Sequence, residues 1–298
     1  MASLKEIKSR IGSVQGTRKV TSAMKMVSSA KLHKAQSLIN AMLPYQRSLD
    51  SIVSNFLSGE TPFTSPYVLK EGESFDPSKR VAILVMSSNS SLCGAFNYNV
   101  IREFASLALD LKKEMVSDDM IDVYAIGKKV EDAVRKMNFK PLSFQSLAAK
   151  PDYKKAFALA DEILKKYADG IYSRVYVIHQ HFQSSAVQKV QRLLYLPLEI
   201  SSYKQEQKAT AEGWLNNYIV EPSVAQVIES LMPQLLKQKL YTCIADSYAS
   251  EHAARTIAMQ VATDNAEDLI QELTILYNKS RQQAITAELL DIVAGSMN

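Results

Sequence analysis

Residues 234–294 form a run of 61 residues without proline or glycine, and the run stops at Gly295. Nothing in it interrupts an α-helix, and a helix of this length would extend roughly 90 Å. Most globular helices are several times shorter. A domain cut from 298 residues cannot enclose such a helix. We therefore expect the helix to pair with another long helix or to enter another protein.

The N-terminal segment has the spacing of a helix that packs lengthwise against a partner helix. Apolar or small residues recur at steps of three and four, with a lapse at residues 31–34, and Gly59 follows as a helix terminator would. Pro44 weakens the helix locally. The predicted buried seam consists of Leu4, Ile7, Ile11, Val14, Thr17, Val20, Met24, Val27, Ala30, Leu38, Met42, Tyr45, Leu49, Ile52 and Phe56.

The C-terminal run repeats this spacing, so the two chain ends predict a long antiparallel coiled coil. Because the C-terminal helix is the longer of the two, one end of it should extend beyond its partner. Its predicted seam consists of Val227, Leu231, Leu235, Ile244, Ile257, Val261, Leu269, Leu273, Leu276 and Leu290.

The last turns of this run are apolar on more than one face. Within residues 284–294, eight of eleven side chains are apolar. A solvent-exposed helix end is normally polar on the side away from its seam. We therefore expect a socket outside this chain to surround the helix tip.

The middle of the chain alternates predicted strands and helices, which favours an α/β domain with a largely parallel sheet. The fold prediction is a Rossmann-like α/β globular domain plus a long antiparallel coiled coil of the terminal helices. The predicted parts are an N-terminal helix (1–58), a linker (59–78), the globular domain (79–212, with a polar surface segment at 201–213), and a last strand with the C-terminal helix (213–298). Strands are predicted at 81–87, 121–126, 174–179, 192–198 and 217–220, and helices at 99–115, 128–137 and 152–167.

Composition excludes several classes of protein. Cys93 and Cys243 are the only cysteines and form no CxxC pair, which argues against a disulfide scaffold or a zinc cluster. No stretch approaches 18 apolar residues, and the first 30 residues lack a secretory core, so we expect a chain that neither spans a membrane nor is exported. Cys93 lies in a loop without an evident cation or histidine beside it, and we interpret it as a packing residue.

The positive charge is concentrated at the N-terminus. Residues 1–57 carry nine Lys or Arg against only Glu6 and Asp50. Such a segment is compatible with a transit peptide, with a nucleic-acid contact, or with a surface for an acidic protein loop. The helical pattern continues beyond a cleavable length, and residues 1–44 contain no aromatic residue to stack on bases. A coiled-coil nucleic-acid-binding protein remains an alternative, and so does an α/β enzyme with helical appendages.

Two candidate sites in the middle of the chain are weak. The loop after the first predicted strand, residues 87–94, matches neither the GxGxxG nor the GxxxxGK[ST] phosphate-binding pattern. His179 and His181 alternate along a predicted strand, as a metal-binding pair would, but no third ligand stands at a useful spacing. We therefore expect no cofactor, no metal ion and no catalytic residue, and interpret both histidines as structural.

The chain carries recognisable segments at residues 7–11, 17–21, 23–32, 92–97, 221–223, 250–255, 262–266, 276–282 and 285–286, with Met259. They closely resemble the gamma subunits of F-type ATP synthases, and the resemblance covers essentially the whole chain. The loop at Asn89, Ser90 and Ser91 departs from the Asp, basic residue and Gly usual in that family. No cysteine-bearing insertion of the chloroplast type is present, so thiol regulation is not expected.

The resemblance implies a non-catalytic rotor shaft that couples proton or sodium ion movement to ATP synthesis or hydrolysis. It implies alpha and beta subunits around the shaft, an epsilon subunit and a c-ring below it, and no nucleic acid. It also implies a peripheral membrane protein, and the absence of a presequence favours the cytoplasmic side of a bacterial inner membrane. The implied rotor–stator contacts are Met24, Lys25, Arg255, Arg281, Gln282 and Thr286, and the implied shaft tip is Ile285, Leu289, Leu290, Ile292 and Val293.

Overall fold

A computed structural model describes residues 3–58, 65–68, 75–76, 78–114, 116–198, 220–221 and 223–296. The predicted strand at 217–220 lies outside these residues except for Val220, as do the polar segment at 201–213 and most of the linker. The chain divides into two compact units. Unit 1 comprises residues 1–30 and 255–298, and unit 2 comprises residues 31–254.

Two long helices belong to both units, and the shorter elements belong to unit 2. The C-terminal helix begins before Pro233, which lies inside it, as Pro44 lies inside the N-terminal helix. A 3₁₀ turn at Asp118–Met120 precedes the second strand. The elements are α1 (Leu4–Ser58), β1 (Arg80–Met86), α2 (Phe96–Lys113), β2 (Ile121–Ile126), α3 (Lys128–Lys136), β3 (Pro141–Ser143), α4 (Gln145–Ala149), α5 (Tyr153–Ala168), β4 (Tyr172–Phe182), β5 (Gln188–Leu196) and α6 (Val224–Ser296).

Unit 2 is built on a five-stranded sheet in the order β3-β2-β1-β4-β5. The first four of these strands are mutually parallel, and β5 pairs antiparallel with β4. The central strand β1 is buried along nearly its whole length, because helices cover both faces of the sheet. The predicted α/β class and its largely parallel sheet are confirmed.

Two apolar cores lie on the two faces of this sheet. One face packs against α2 and α3 through residues such as Phe104 and Val134. The other face packs against α5 and against the unit 2 parts of α1 and α6, through residues such as Ile163, Val53 and Leu236. Apolar residues that alternate along the strands therefore reach both cores, and burial of both sets anchors the two long helices to the sheet.

Polar contacts also join α6 to the sheet within unit 2. The Tyr195 hydroxyl of β5 donates to the Leu236 carbonyl at 2.7 Å. Ser250 donates to the Gln180 carbonyl at 3.0 Å, and the Gln180 amide in turn donates to the Phe96 carbonyl at 2.6 Å. All of these groups are buried, so each hydrogen bond satisfies a polar group whose burial without a partner would destabilise the fold. This part of α6 is thereby fixed to the sheet.

Candidate functional site: the two-helix segment of unit 1

Unit 1 consists of the first part of α1 and the last part of α6, packed along a regular seam. On α1 the seam recurs at alternating steps of four and three, and on α6 it does the same. Such a seven-residue repeat is the pattern of a left-handed coiled coil. The buried or half-buried seam positions are Ile7, Ile11, Val14, Arg18, Thr21, Lys25 and Ser28 on α1, and Thr256, Met259, Thr263, Ala266, Ile270, Leu273, Tyr277, Ser280 and Ala284 on α6.

The predicted coiled-coil pairing is confirmed, but part of the predicted seam is wrong. Val20 and Val27 are apolar and fit the predicted seam, yet they are 59% and 57% exposed. The true seam passes one residue later, through the buried Thr21 and Ser28. The prediction is also wrong at Thr17, Ala30, Tyr45, Ile257, Val261, Leu269, Leu276 and Leu290, all of which are exposed.

Polar side chains hold part of this seam together. The Oγ1 atoms of Thr21 and Thr263 lie 2.8 Å apart across the two helices. One turn away, Arg18 donates from Nη1 to Oε1 of Glu267 at 3.2 Å. The seam is therefore partly polar, and large apolar side chains also lie on the outside, where an ordinary soluble coiled coil is polar.

The expected shaft tip is exposed on all sides. Ala284 is the last half-buried position of α6, and the described side chains from Ile285 onward are all exposed. Contiguous exposed apolar surface of this kind marks an interaction site. Its apolar members are between 48% and 67% exposed: Ile285, Leu289, Leu290, Ile292 and Val293.

The six expected rotor–stator residues differ in their exposure. Arg281, Gln282 and Thr286 are exposed on α6, and the Thr286 hydroxyl donates to the Gln282 carbonyl at 2.9 Å. Met24 and Lys25 are half-buried on α1. Arg255 is only 5% exposed. Only Arg281, Gln282 and Thr286 are fully open to the outside of unit 1, since Lys25 is also a seam position. The contact role of all six residues stays a prediction.

The exposed charge differs between the two helices of unit 1. On α1 the exposed charges are mostly basic, including Lys5, Lys8 and Lys19. On α6 an acidic row recurs every four residues at Asp264, Asp268 and Glu272. One side of the pair is therefore basic and the other acidic, so a partner meets a different charge according to which side faces it.

In unit 2, the sheet edge that binds nucleotides in many α/β folds is closed by the chain itself. The first three amides of α3 donate to residues after β1: Lys128 to Oδ1 of Asn89 at 3.0 Å, Lys129 to the Ser88 carbonyl at 3.1 Å, and Val130 to Oγ of Ser87 at 2.9 Å. These helix N-terminal amides are the groups that would hold a phosphate. They are already engaged, in agreement with the absence of a phosphate-binding motif.

Asn89, in the loop that departs from the family pattern, has a structural function. Its Nδ2 donates to the Gln145 carbonyl at 2.9 Å while its Oδ1 accepts from Lys128. One side chain thus ties together the loop after β1, the start of α3 and the start of α4. No sequence pattern indicates this role, because the partners lie 39 and 56 residues away.

His179 and His181 both approach one carboxylate on α6. Nδ1 of His181 lies 2.6 Å from Oδ2 of Asp246, and Nε2 of His179 lies 3.8 Å from the same oxygen. Oδ1 of Asp246 accepts from the Phe182 amide at 2.8 Å. Among the described residues, no group of three or more His, Cys, Asp or Glu is arranged to hold a metal ion. This cluster fastens α6 to β4.

Burial changes the protonation of this cluster. Burial, and then the neighbouring His181, lower the pKa of His179 to about 4. Burial raises the pKa of the Asp246 carboxyl above its ordinary value, and its bonds from His181 and the Phe182 amide oppose that rise. His179 is therefore neutral at physiological pH.

Within the described residues, none of the helices combines the length and the apolar character that crossing a bilayer requires.

Comparison with known proteins identifies the family. The ATP synthase family model matches residues 3–297. The ATP synthase gamma chain of Bacteroides fragilis is 54% identical, and the match covers 100% of both chains. The gamma chain of Phocaeicola vulgatus is 51% identical, again over 100% of both. The chain belongs to the ATP synthase gamma chain family.

Solved structures share the gamma chain fold. The rotor of Euglena gracilis mitochondrial ATP synthase matches with a TM-score of 0.60 at 18% identity, and the match covers 95% of this chain and 98% of that one. The Tetrahymena thermophila mitochondrial central stalk and c-ring structure matches with a TM-score of 0.54 at 22% identity, over 82% and 99%. Terminal helices packed together, combined with an α/β sheet, are therefore the fold of this family.

Proposed function

We propose that this chain is the non-catalytic rotor shaft of a bacterial ATP synthase. The observation that carries the proposal is the large apolar side chains on the outside of unit 1, which lie there beside the charged residues. Val20, Ile275 and Leu290 are all more than half exposed within the part of the chain that the structure describes. An enclosing partner would remove this apolar surface from water, and a ring of alpha and beta subunits supplies one.

The asymmetry of the shaft couples its rotation to the states of the partner sites around it. The partner sites around unit 1 meet α1 on one side and α6 on the other, and these helices differ in exposed charge and apolar area. A shaft that contacts the open and closed states of a site differently shifts their equilibrium as it turns. Arg281 and Gln282 provide hydrogen bonds that break and reform during rotation, and charge assistance strengthens those of Arg281. Met24 and Lys25, which lie on α1, would contact the stator at a different position along the shaft.

The remaining partners follow from the same proposal. Unit 2 would seat on an epsilon subunit and a membrane-embedded c-ring, which makes the chain a peripheral membrane protein on the cytoplasmic side of the inner membrane. The coupled ion is a proton or a sodium ion. The chain itself contributes no chemistry to ATP, and the closed sheet edge of unit 2 supports this assignment.

The test is the coupling of ATP hydrolysis to ion pumping in membrane vesicles that carry the assembled complex. Arg281→Ala should lower pumping per ATP hydrolysed, because one charge-assisted contact to the stator is lost, while the melting temperature of the chain stays unchanged. Lys279→Ala is the matched control, since it removes an exposed cation two residues away. Equal coupling in wild type and Arg281→Ala would contradict the contact assignment, and failure of alpha and beta subunits to co-purify would contradict the rotor role.

A further inference from the structure

Strand β4 extends beyond its neighbour in the sheet. Its pairing with β1 ends at Ile178, which lies opposite Val85. The last four residues of β4, His179–Phe182, continue in an antiparallel pairing with Gln188–Gln191 of β5. We call these two stretches the ribbon. Two strands alone are marginally stable in water, so contacts outside the sheet must hold the ribbon in place.

Side chains of α6 take the place of the missing strand along the ribbon. Gln180 and Phe182 turn main-chain groups away from β5, because successive pairs of an antiparallel ladder alternate between bonding inward and outward. The Ser250 hydroxyl donates to the Gln180 carbonyl at 3.0 Å, and the Phe182 amide donates to Oδ1 of Asp246 at 2.8 Å. Asp246 and Ser250 are four residues apart and therefore share one face of α6. That face completes hydrogen bonds that a further strand would otherwise make.

The ribbon also contacts both long helices through an apolar side chain. Phe182 packs against a small cluster of buried residues contributed by the two helices, which consists of Leu32, Ala35, Ala249 and Ala253. Unit 2 begins at Lys31 on α1 and ends at Ala254 on α6, so this cluster lies in the outermost turns of both helices within unit 2. The ribbon therefore holds the two helices at the level where they leave unit 2.

The two kinds of contact constrain different motions. Apolar packing is non-directional, so the contacts of Phe182 resist separation of the helices from the ribbon more than rotation of a helix about its own axis. A hydrogen bond weakens steeply as its angle departs from linear. The bonds to Asp246 and Ser250 therefore fix the rotational setting of α6 relative to the sheet.

We propose that the ribbon is a brace through which unit 2 holds the rotational setting of α6, and that Asp246 and Ser250 attach this brace. They are positioning residues, because they act through the ribbon and the helix. The proposal rests on the proposed rotor function, since a rotor must pass its rotation from unit 2 into α6 without slip. Without the brace, residues 246–254 would join the free part of the helix and lengthen it by about 14 Å.

The first measurement is hydrogen exchange in the full chain. In Asp246→Ala with Ser250→Ala, we expect the amides that pair β4 with β5 in the ribbon to exchange about tenfold faster, because lost hydrogen bonds shift the opening equilibrium by such factors. The matched control is Tyr195→Phe with Thr242→Val, which removes two other bonds of α6 within unit 2, those to the Leu236 carbonyl and to Gln46. This control should leave the exchange of the ribbon unchanged.

The second measurement is the angular spread of a bead on the stalled rotor, in the assembled complex without ATP. Lys140 is exposed and precedes β3, at the opposite edge of the sheet from β5, so Lys140→Cys accepts the bead away from the ribbon. The thermal twist of an elastic rod grows with its free length. Residues 246–254 add about a fifth to the part of α6 in unit 1, so the variance of the bead angle should rise about 1.2-fold when the brace is removed. The control variant should match the wild type.

The outcomes separate the brace from the rotor function. Unchanged exchange of the ribbon in Asp246→Ala with Ser250→Ala, or an equal acceleration in the control, would overturn the attachment of the brace. Faster exchange with an unchanged variance of the bead angle would overturn its role in holding the rotational setting of α6. A bead that never turns when ATP is supplied would instead contradict the rotor function, and the exchange measurement would still decide the attachment.

Discussion

The two parts of α6 use the same kind of side chain in opposite ways. In unit 2, Leu236 and Leu240 are fully buried against the sheet and its helices. In unit 1, Ile275 and Leu290 of the same helix are exposed. Apolar residues stabilise the fold in the first case, and in the second they are exposed, where we propose that another protein covers them. Replacement of an exposed leucine in unit 1 should therefore weaken the assembly with partner proteins and hardly change the free energy of unfolding of the chain.

The largest expected effect comes from one truncation made in each unit. Leu236→Ala removes a fully buried side chain, and the transfer loss plus the cavity should lower the free energy of unfolding by about 2 to 5 kcal/mol. Leu290→Ala should change it by less than about 0.5 kcal/mol. Urea unfolding of the full chain, followed by circular dichroism, measures both. Comparable losses would contradict the assignment of Leu290 to a partner surface.

Glycine replacements give the next contrast. Gly127 has a φ of +112°, and a Cβ there would lie 2.2 Å from the Ser87 carbonyl oxygen. Gly127→Ala should cost about 3 kcal/mol through strain and the displaced loop after β1. At Gly12, within α1 of unit 1, a Cβ would meet nothing within 4 Å, so Gly12→Ala should instead stabilise the chain by about 0.5 to 1 kcal/mol. The melting temperature of each variant is the measurement. A lower melting temperature for Gly12→Ala would contradict the open space around Gly12.

Acid sensitivity should reside in unit 2, at His179. Its folded-state pKa of about 4 lies below the roughly 6.5 of an unfolded histidine, so the unfolded state binds the proton first. Its contribution is fully present above pH 6.5 and is lost as the pH falls toward 4, by up to about 3 kcal/mol. The raised pKa of Asp246 makes its own contribution to stability change with pH in the opposite direction. The contribution of His179 is therefore measured as the difference between the wild type and a His179 variant.

His179→Phe should therefore flatten the loss of stability between pH 6.5 and 4, as measured by urea unfolding at several pH values. The exposed His33 is the control position, and His33→Phe should leave the pH profile of the wild type intact. A profile unchanged by His179→Phe would mean that His179 is not buried in its neutral form.

The smallest effect belongs to the ion pair of unit 1. The Arg18 and Glu267 side chains are 39% and 55% exposed, so solvent screens their attraction. Arg18→Ala should lower the free energy of unfolding by only about 0.5 kcal/mol, and the difference should shrink further in 1 M NaCl. A salt-independent loss as large as that of Leu236→Ala would instead place the pair in a buried environment.

Local patterns predicted most of the fold. The period and length of the apolar pattern predicted the bounds of β1, β2, α3 and α5 to within a residue or two, because apolar periodicity follows burial directly. They missed β3 and α4, since three and five residues are too short to show a period. The run without proline or glycine begins only after Pro233, whereas α6 already begins at Val224 and continues through that proline.

The seam of unit 1 could not be predicted in the same way. Apolar periodicity selected Val20 and Val27, and the seam instead buries Thr21 and Ser28. The partner that satisfies Thr21 lies 242 residues away, so no local pattern contains it. The same limit applies to Asp246, which meets His181 across 65 residues. The apolar tip was predictable because eight of the eleven residues at 284–294 are apolar, on more faces than a single partner helix can cover.

The most direct test of the shaft assignment is rotation of this chain in the assembled complex. Ser185 is exposed in unit 2, so Ser185→Cys accepts a bead while the buried Cys93 and Cys243 stay unlabelled. With the surrounding subunits fixed to a surface and ATP supplied, the bead should turn stepwise in one direction. A bead that stays fixed while the same complex hydrolyses ATP would contradict the account.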